Sequence, residues 1–102
     1  MAKPISMLCI YRVTPGKEDQ FEEILGRHWP TLDKTGLVSA EPARIFKGST
    51  KDGKKSFIEM FQWKDENAPN IAHQTPEVMA IWEPMGALAD GMEFIQIESV
   101  NE

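Results

Sequence analysis

The chain has 102 residues, with 16 acidic against 11 basic side chains and a net charge of -5. This length corresponds to one domain with a modest core. The acidic balance disfavours a nucleic-acid backbone or an anionic membrane as partner. The apolar runs are all shorter than the ~18 residues that a membrane-spanning helix needs.

Cysteine usage and motif content exclude several further classes. Cys9 is the only cysteine, so no intramolecular disulfide forms, and the N-terminus lacks a secretory pattern. We therefore expect a reducing cytoplasm. The sequence contains no Cys-x-x-Cys, glycine-rich phosphate loop, His-Glu-x-x-His or Gly-x-Ser-x-Gly motif. A thiolate metal site, a nucleotide-binding fold and a serine hydrolase are all disfavoured.

The first half of the chain predicts a strand and then an amphipathic helix. The run 5–14 is rich in large apolar residues and stops at Pro15-Gly16. Alternation places five of its side chains on one face: Ile5, Met7, Cys9, Tyr11 and Val13. From Lys17 apolar residues recur at helical spacing up to Gly36, which we expect to cap the helix, and Pro30 predicts a kink near His28.

The second half predicts three more strands and further helix. In order, it contains a strand over 39–50, a strand over 57–63, a short helix over 65–72, a longer helix from Thr75 to Gly91, and a strand over 92–100. Asp52-Gly53 predicts a tight hairpin whose two central residues both have positive φ. Ile95 and Ile97 fall on one face of the last strand.

The order strand, helix, strand, strand, helix, strand predicts one α+β domain over residues 1–102. Short connections and the right-handed crossover rule favour a ferredoxin-like βαββαβ antiparallel sheet with helices on one face. The other face also carries large apolar groups. A monomer rarely leaves such a patch uncovered, so we expect a homodimer that packs sheet against sheet.

The strand over 57–63 carries an acid in an aromatic row. Phe57, Glu59, Phe61 and Trp63 share one face. Burial disfavours the charged form of a carboxyl group, which would suit Glu59 to accept a proton. The alternatives are a hydrogen-bonded acid at the sheet rim, or a salt bridge to Arg12 or Arg44.

Two histidines and several aromatic residues are further candidates. His73 can exchange protons near neutral pH, or it can bond a backbone carbonyl at a helix end. His28 lies on the apolar stripe of the first helix, which favours a satisfied, partly buried histidine. Both histidines with Glu59 would supply three metal ligands, but their spacing does not require this. Trp63, Trp82 and Tyr11 either line a flat aromatic pocket or belong to the core.

Three segments carry a resemblance to a known family. They are Val13-Thr14-Pro15-Gly16-Lys17-Glu18-Asp19-Gln20-Phe21, the stretch 57–68 with Trp63-Lys64-Asp65-Glu66-Asn67-Ala68, and Ala72-His73-Gln74-Thr75-Pro76. The chain resembles the antibiotic biosynthesis monooxygenase-like group of dimeric α+β barrels. The resemblance implies a cofactor-independent monooxygenase acting on a small aromatic or quinol-type molecule, with neither a bound cofactor nor a metal.

The resemblance carries over residue by residue. His73 matches the family histidine and Trp63 the aromatic at the strand end. Phe61 replaces the acid that the family has two positions before that aromatic, and Glu59 lies one same-face step earlier. Where the family often has a second histidine, this chain has Glu77.

These matches give one set of expected roles and one alternative. We expect His73 and Glu59 to be catalytic, and Trp63, Trp82, Tyr11 and His28 to bind the substrate. The alternative is a binding or regulatory module of the same fold that performs no chemistry.

Overall fold

The computed structural model, which describes residues 3–100, contains four strands and four helices. In chain order they are β1 (Ile5–Val13), α1 (Glu18–Leu25), α2 (His28–Lys34), β2 (Arg44–Ser49), β3 (Lys55–Trp63), α3 (Ala68–Ala72), α4 (Pro76–Leu88) and β4 (Ala89–Ile97). The strands form one antiparallel sheet in the order β2-β3-β1-β4. The predicted α+β ferredoxin-like fold is confirmed.

The two central strands have one strongly buried face each, as their alternation predicts. Opposite residues in the pairing of β1 with β3 include Cys9 with Glu59 and Tyr11 with Phe57, and all four are buried. Helices α1, α2 and α4 pack together over this covered face. Phe21 and Leu32 are fully buried beneath them.

The first helical segment breaks earlier than Pro30 predicts. Helix α1 ends at Leu25, and α2 starts at His28 after Gly26-Arg27. Pro30 then lies in the first turn of α2, where the missing backbone donor has no helical partner to lose. The break allows α2 to turn His28 and Leu32 into the core.

The predicted hairpin forms, but its turn differs from the expected one. A five-residue loop, 50–54, joins β2 to β3 and is closed by hydrogen bonds between the backbones of Thr50 and Lys54 and of Gly53 and Thr50. Gly53 has φ of 84°, whereas none of the described non-glycine residues has positive φ. The expectation of positive φ at Asp52 was therefore wrong, because a longer loop spreads the reversal over more residues.

The last strand begins directly where α4 ends. Ala89 starts β4 without a loop, so the expectation that Gly91 ends the helix was wrong. Gly91 instead pairs with Arg12, next to a register shift between β1 and β4. Met92 then lies opposite Tyr11, and Phe94 lies opposite Cys9. Because Tyr11 and Cys9 are on the covered face, this register places Met92 and Phe94 there as well.

The opposite face of the sheet has no helix over it within residues 3–100. Seven of its side chains are apolar and half-buried or exposed: Leu8, Ile10, Phe46, Ile58, Met60, Ile95 and Ile97. We call this set the open face. In the same described part of the chain, each helix is too short or too polar to cross a membrane.

Candidate active site

A cavity of about 340 Å³ lies between the covered face of the sheet and helices α2 to α4. Its lining is almost entirely apolar and aromatic: Cys9, Tyr11, His28, Phe61, Trp63, Pro69, His73, Trp82, Met85, Met92 and Phe94. His73 and Phe94 are exposed and mark the mouth, whereas Cys9, Tyr11 and His28 are buried and mark the inner end. The size and lining are typical of a site for a small organic molecule.

Glu59 lies behind the inner end, where it holds two of the lining side chains. The Tyr11 hydroxyl donates to Glu59 Oε1 over 2.7 Å. His28 Nδ1 is 2.9 Å from both oxygens of the same carboxyl group. On the other side of the ring, Trp82 Nε1 is 2.8 Å from His28 Nε2. We call Glu59, Tyr11, His28 and Trp82 the buried network.

Hydrogen-bond chemistry assigns the protons of the buried network. An indole N–H can only donate, so His28 Nε2 accepts the bond from Trp82 and carries no proton. A neutral imidazole then has its proton on Nδ1, which donates to Glu59. Tyr11 and His28 therefore donate to the carboxylate of Glu59, and Trp82 donates to His28. His28 is held neutral, in one tautomer, with Nε2 on the cavity side.

The carboxylate also affects the two weak acids at the inner end. Burial, reinforced by the charge of Glu59, raises the pKa of the Tyr11 hydroxyl far above its ordinary value. The same two causes raise the pKa of the Cys9 thiol to about 12. Both groups are protonated at neutral pH, so Tyr11 remains a donor to Glu59 and Cys9 is not a nucleophile.

The mouth of the cavity is aromatic rather than ionic. The ring of His73 meets Trp82 edge to face, with centroids 4.8 Å apart. Trp82 is also edge to face with Trp63 at 6.4 Å. No side-chain hydrogen bond fixes the His73 ring among the described residues. Trp82 therefore contacts both histidines of the cavity.

The structure brings most of the predicted site residues to one place. Tyr11, His28, Trp63, His73 and Trp82 all line the cavity. Glu59 does not line it and reaches it only through Tyr11 and His28.

The alternative of a salt bridge from Glu59 to Arg12 or Arg44 was wrong, because both arginines lie on the other side of the sheet. Arg12 pairs with Glu93, and Arg44 lies over the ring of Phe46. Alternation places both arginines on the open face, opposite to Glu59. The prediction that His28 is satisfied is confirmed, since both of its ring nitrogens are bonded, but it is 3% exposed and thus buried rather than partly buried.

Sequence reasoning missed several lining residues. Met92 and Phe94 alternate with Ile95 and Ile97, so the period of two in the last strand already indicated that they face the helices. Met85 lies on the apolar stripe of α4 and carried no distinguishing signal. Across residues 3–100, no three His, Cys, Asp or Glu side chains form a group that would hold a metal ion.

Comparisons with known proteins gave structural matches alone. No protein-family model and no curated protein matches the chain. The cofactor-independent oxygenase SnoaB from Streptomyces nogalater has a TM-score of 0.74 at 17% identity, over 99% of this chain and 97% of that one. The chain shares the fold of the antibiotic biosynthesis monooxygenases.

Two further solved structures agree. A candidate antibiotic biosynthesis monooxygenase from Bordetella bronchiseptica has a TM-score of 0.75 at 12% identity, over 99% of this chain and 100% of that one. One from Nitrosomonas europaea has a TM-score of 0.70 at 10% identity, over 98% and 93% of the two chains. The resemblance inferred from the sequence is thus confirmed for the fold, at identities too low to transfer an activity.

Proposed function

We propose that the protein is a cofactor-independent monooxygenase that acts on a small, electron-rich aromatic molecule such as a quinol or a polycyclic phenol. The observation that carries this proposal is the cavity of about 340 Å³, which is lined by aromatic side chains and bordered by two imidazoles. An apolar pocket with a few convergent polar groups is the usual form of a small-molecule site. The fold it shares with SnoaB, a cofactor-independent oxygenase, supports the reaction class.

The reaction balances without a protein-bound redox group. A phenol HO–Ar–H reacts with O₂ to give the quinone O=Ar=O and water. One oxygen atom enters the ring carbon and the other leaves as water, so all the electrons come from the substrate. The protein then has to remove the hydroxyl proton, because the phenolate is the more easily oxidised form, and to exclude bulk water.

Two imidazoles can accept that proton in this cavity. His73 borders the mouth directly, whereas His28 borders the inner end and is held by Glu59. Glu59 cannot touch a ligand in the cavity, so its role is to position His28 and to stabilise a positive charge on the ring. An imidazole with a carboxylate behind it is the arrangement found in many hydrolases that use a histidine base.

Oxygen consumption tests the proposal. Purified protein is mixed with a panel of hydroxynaphthalenes in buffer with a chelator, and ¹⁸O₂ incorporation is followed by mass spectrometry. We expect one labelled atom per quinone. If His73 takes the proton, His73→Ala should lower kcat by roughly 100-fold or more, and if His28 takes it, Glu59→Gln should do so through the loss of its bond to His28. If neither variant changes turnover of any accepted compound, these roles are wrong. If no compound is oxidised although some bind, the protein is a binding module.

We also propose that the protein is a homodimer that buries the open face. Ile95 and Phe46 are 42% and 44% exposed, and they lie beside the half-buried Leu8 and Ile58 on one continuous apolar surface. A symmetric partner would cover this surface with a copy of itself. Sedimentation at micromolar concentration should give the mass of a dimer. A monomer would refute the proposal.

A further inference from the structure

The indole of Trp82 occupies the one ring nitrogen of His28 that faces the cavity. Its Nε1 lies 2.8 Å from His28 Nε2, while the other nitrogen is held by Glu59. His28 is 3% exposed, so a ligand cannot reach Nε2 while the indole stays in place. The best-placed acceptor in the cavity is thus already satisfied by the protein's own N–H group.

Trp82 is less constrained than the rest of the buried network. It is half-buried and borders the cavity on the side of His73 and Trp63, which it contacts only through aromatic edges. His28, Glu59 and Tyr11 are buried and mutually bonded. The indole can therefore leave its hydrogen bond without breaking the bonds that orient the imidazole.

We propose that Trp82 caps His28 as a stand-in for the substrate, and that a ligand with an aromatic O–H group displaces the indole N–H and donates to His28 Nε2 in its place. This inference rests on the proposed function for its substrate class and adds a requirement: the ligand must carry a hydrogen-bond donor. An aromatic ether of the same shape supplies no donor, so it leaves His28 Nε2 without a partner or fails to dislodge the indole.

The displacement also supplies the proton step. The hydroxyl proton moves from the ligand oxygen to His28 Nε2, which leaves a phenolate and an imidazolium. The Nδ1–H group stays on Glu59, whose negative charge balances the new positive charge on the ring. Charge is conserved within the cavity, and no other residue has to gain or lose a proton.

Binding without turnover tests the displacement. The probes are 1-naphthol and its methyl ether, 1-methoxynaphthalene, titrated calorimetrically and by ¹⁵N–¹H NMR in oxygen-free buffer. We expect 1-naphthol to exceed the ether in affinity by less than the factor of about fivefold that one hydrogen bond contributes, because its bond to His28 replaces the bond that the indole gives up. It should also move the indole N–H resonance of Trp82, whereas the ether should leave that resonance in place.

A matched pair of variants isolates the cap. Trp82→Phe keeps an aromatic ring but removes the competing donor, so the preference for 1-naphthol over the ether should rise by about fivefold. Trp29→Phe is the control, because Trp29 does not line the cavity and its Nε1 has no partner in the described part of the chain. The control should leave the preference at the value of the unmodified protein.

The outcomes separate this inference from the proposed function. If the two probes bind equally and the Trp82 resonance is unmoved, or if neither probe binds, the displacement is wrong. If 1-naphthol displaces the indole but no hydroxynaphthalene consumes oxygen, the displacement stands and the oxygenase proposal fails. If oxygen is consumed while the Trp82 bond persists, the oxygenase proposal stands and the displacement fails.

Discussion

The two faces of the sheet are built from the same strands but are completed in different ways. On the covered face, strands and helices together supply partners for the polar groups of the buried network, and the helices leave a cavity beside it. On the open face, the polar groups form pairs such as Arg12 with Glu93, and no helix within residues 3–100 covers the apolar side chains between them. Alternation along β1 and β3 separates the two sets.

This difference shows why the acid of β3 does not need a basic partner. Glu59 is fully buried, and it is satisfied by donors from β1 and α2 rather than by a lysine or an arginine. A buried carboxylate is tolerated when hydrogen bonds replace its hydration. The covered face therefore concentrates polar chemistry at one point, whereas the open face offers contact area.

The largest expected effect comes from breaking the covered face at its centre. Glu59→Ala removes the acceptor of Tyr11 and His28 and leaves a void, so we expect the free energy of unfolding to fall by about 3–5 kcal/mol. Urea denaturation measures it. Glu66→Ala, in an exposed turn, is the control and should change stability by less than about 0.5 kcal/mol. A loss under about 1 kcal/mol for Glu59→Ala would show that the network does not support the fold.

The second effect concerns the thiol beside the network. With a pKa of about 12 instead of 9.0, Cys9 has a thiolate fraction at pH 8 that is about a thousandfold lower than that of an ordinary thiol. We expect iodoacetamide to react with the native protein at least that much more slowly than with the urea-unfolded chain. Equal rates in the two states would contradict the burial of Cys9.

The same shifts make the fold sensitive to alkali. Folding raises the pKa values of Cys9 and Tyr11, so the folded state holds both protons more tightly than the unfolded state. Their contribution to stability is complete below the unfolded pKa values of 9.0 and 10.0 and is lost as the pH rises above them. Thermal unfolding should therefore occur at lower temperature at pH 10.5 than at pH 8.

The third effect tests the open face with two isoleucines of similar exposure. Ile95 on the open face is 42% exposed, and Ile71 on α3 is 46% exposed. Ile95→Lys places a charge twice in a symmetric interface, so we expect the dissociation constant of the dimer to rise roughly 100-fold. Ile71→Lys should change it by less than about threefold. Equal effects of the two substitutions in analytical ultracentrifugation would place the interface elsewhere.

Most strands and helices could be predicted from the sequence, because side-chain alternation and glycine positions are local signals. Period-two alternation was sufficient for the covered faces of β1 and β3, and Gly36, with φ of 75°, ends the first helical region as predicted. The errors fell at junctions, where propensity is weak. The first helical segment is interrupted at Gly26-Arg27 instead of at Pro30, and β4 starts before Gly91. In both places tertiary packing, rather than local propensity, decides where the helix ends.

The sequence predicted most residues of the site, but not the hydrogen bonds that join them. Tyr11, Glu59 and Trp63 share a face by alternation alone. The contact of His28 with Glu59 spans 31 residues and depends on the angle of α2, which no local signal encodes. The family resemblance pointed to His73 as the site histidine. In the structure, however, His28 is the histidine that bonds the carboxylate of Glu59, and the His73 ring contacts Trp82.

The central claim is that the covered face holds His28 as a neutral imidazole with its proton on Nδ1 and with Nε2 as an acceptor toward the cavity. The ¹⁵N chemical shifts of the histidine ring nitrogens at pH 7 report this directly. We expect His28 to show a protonated Nδ1 and an unprotonated, hydrogen-bonded Nε2, with the Nδ1 signal lost in His28→Gln. A proton on Nε2, or on both nitrogens, would contradict the buried network.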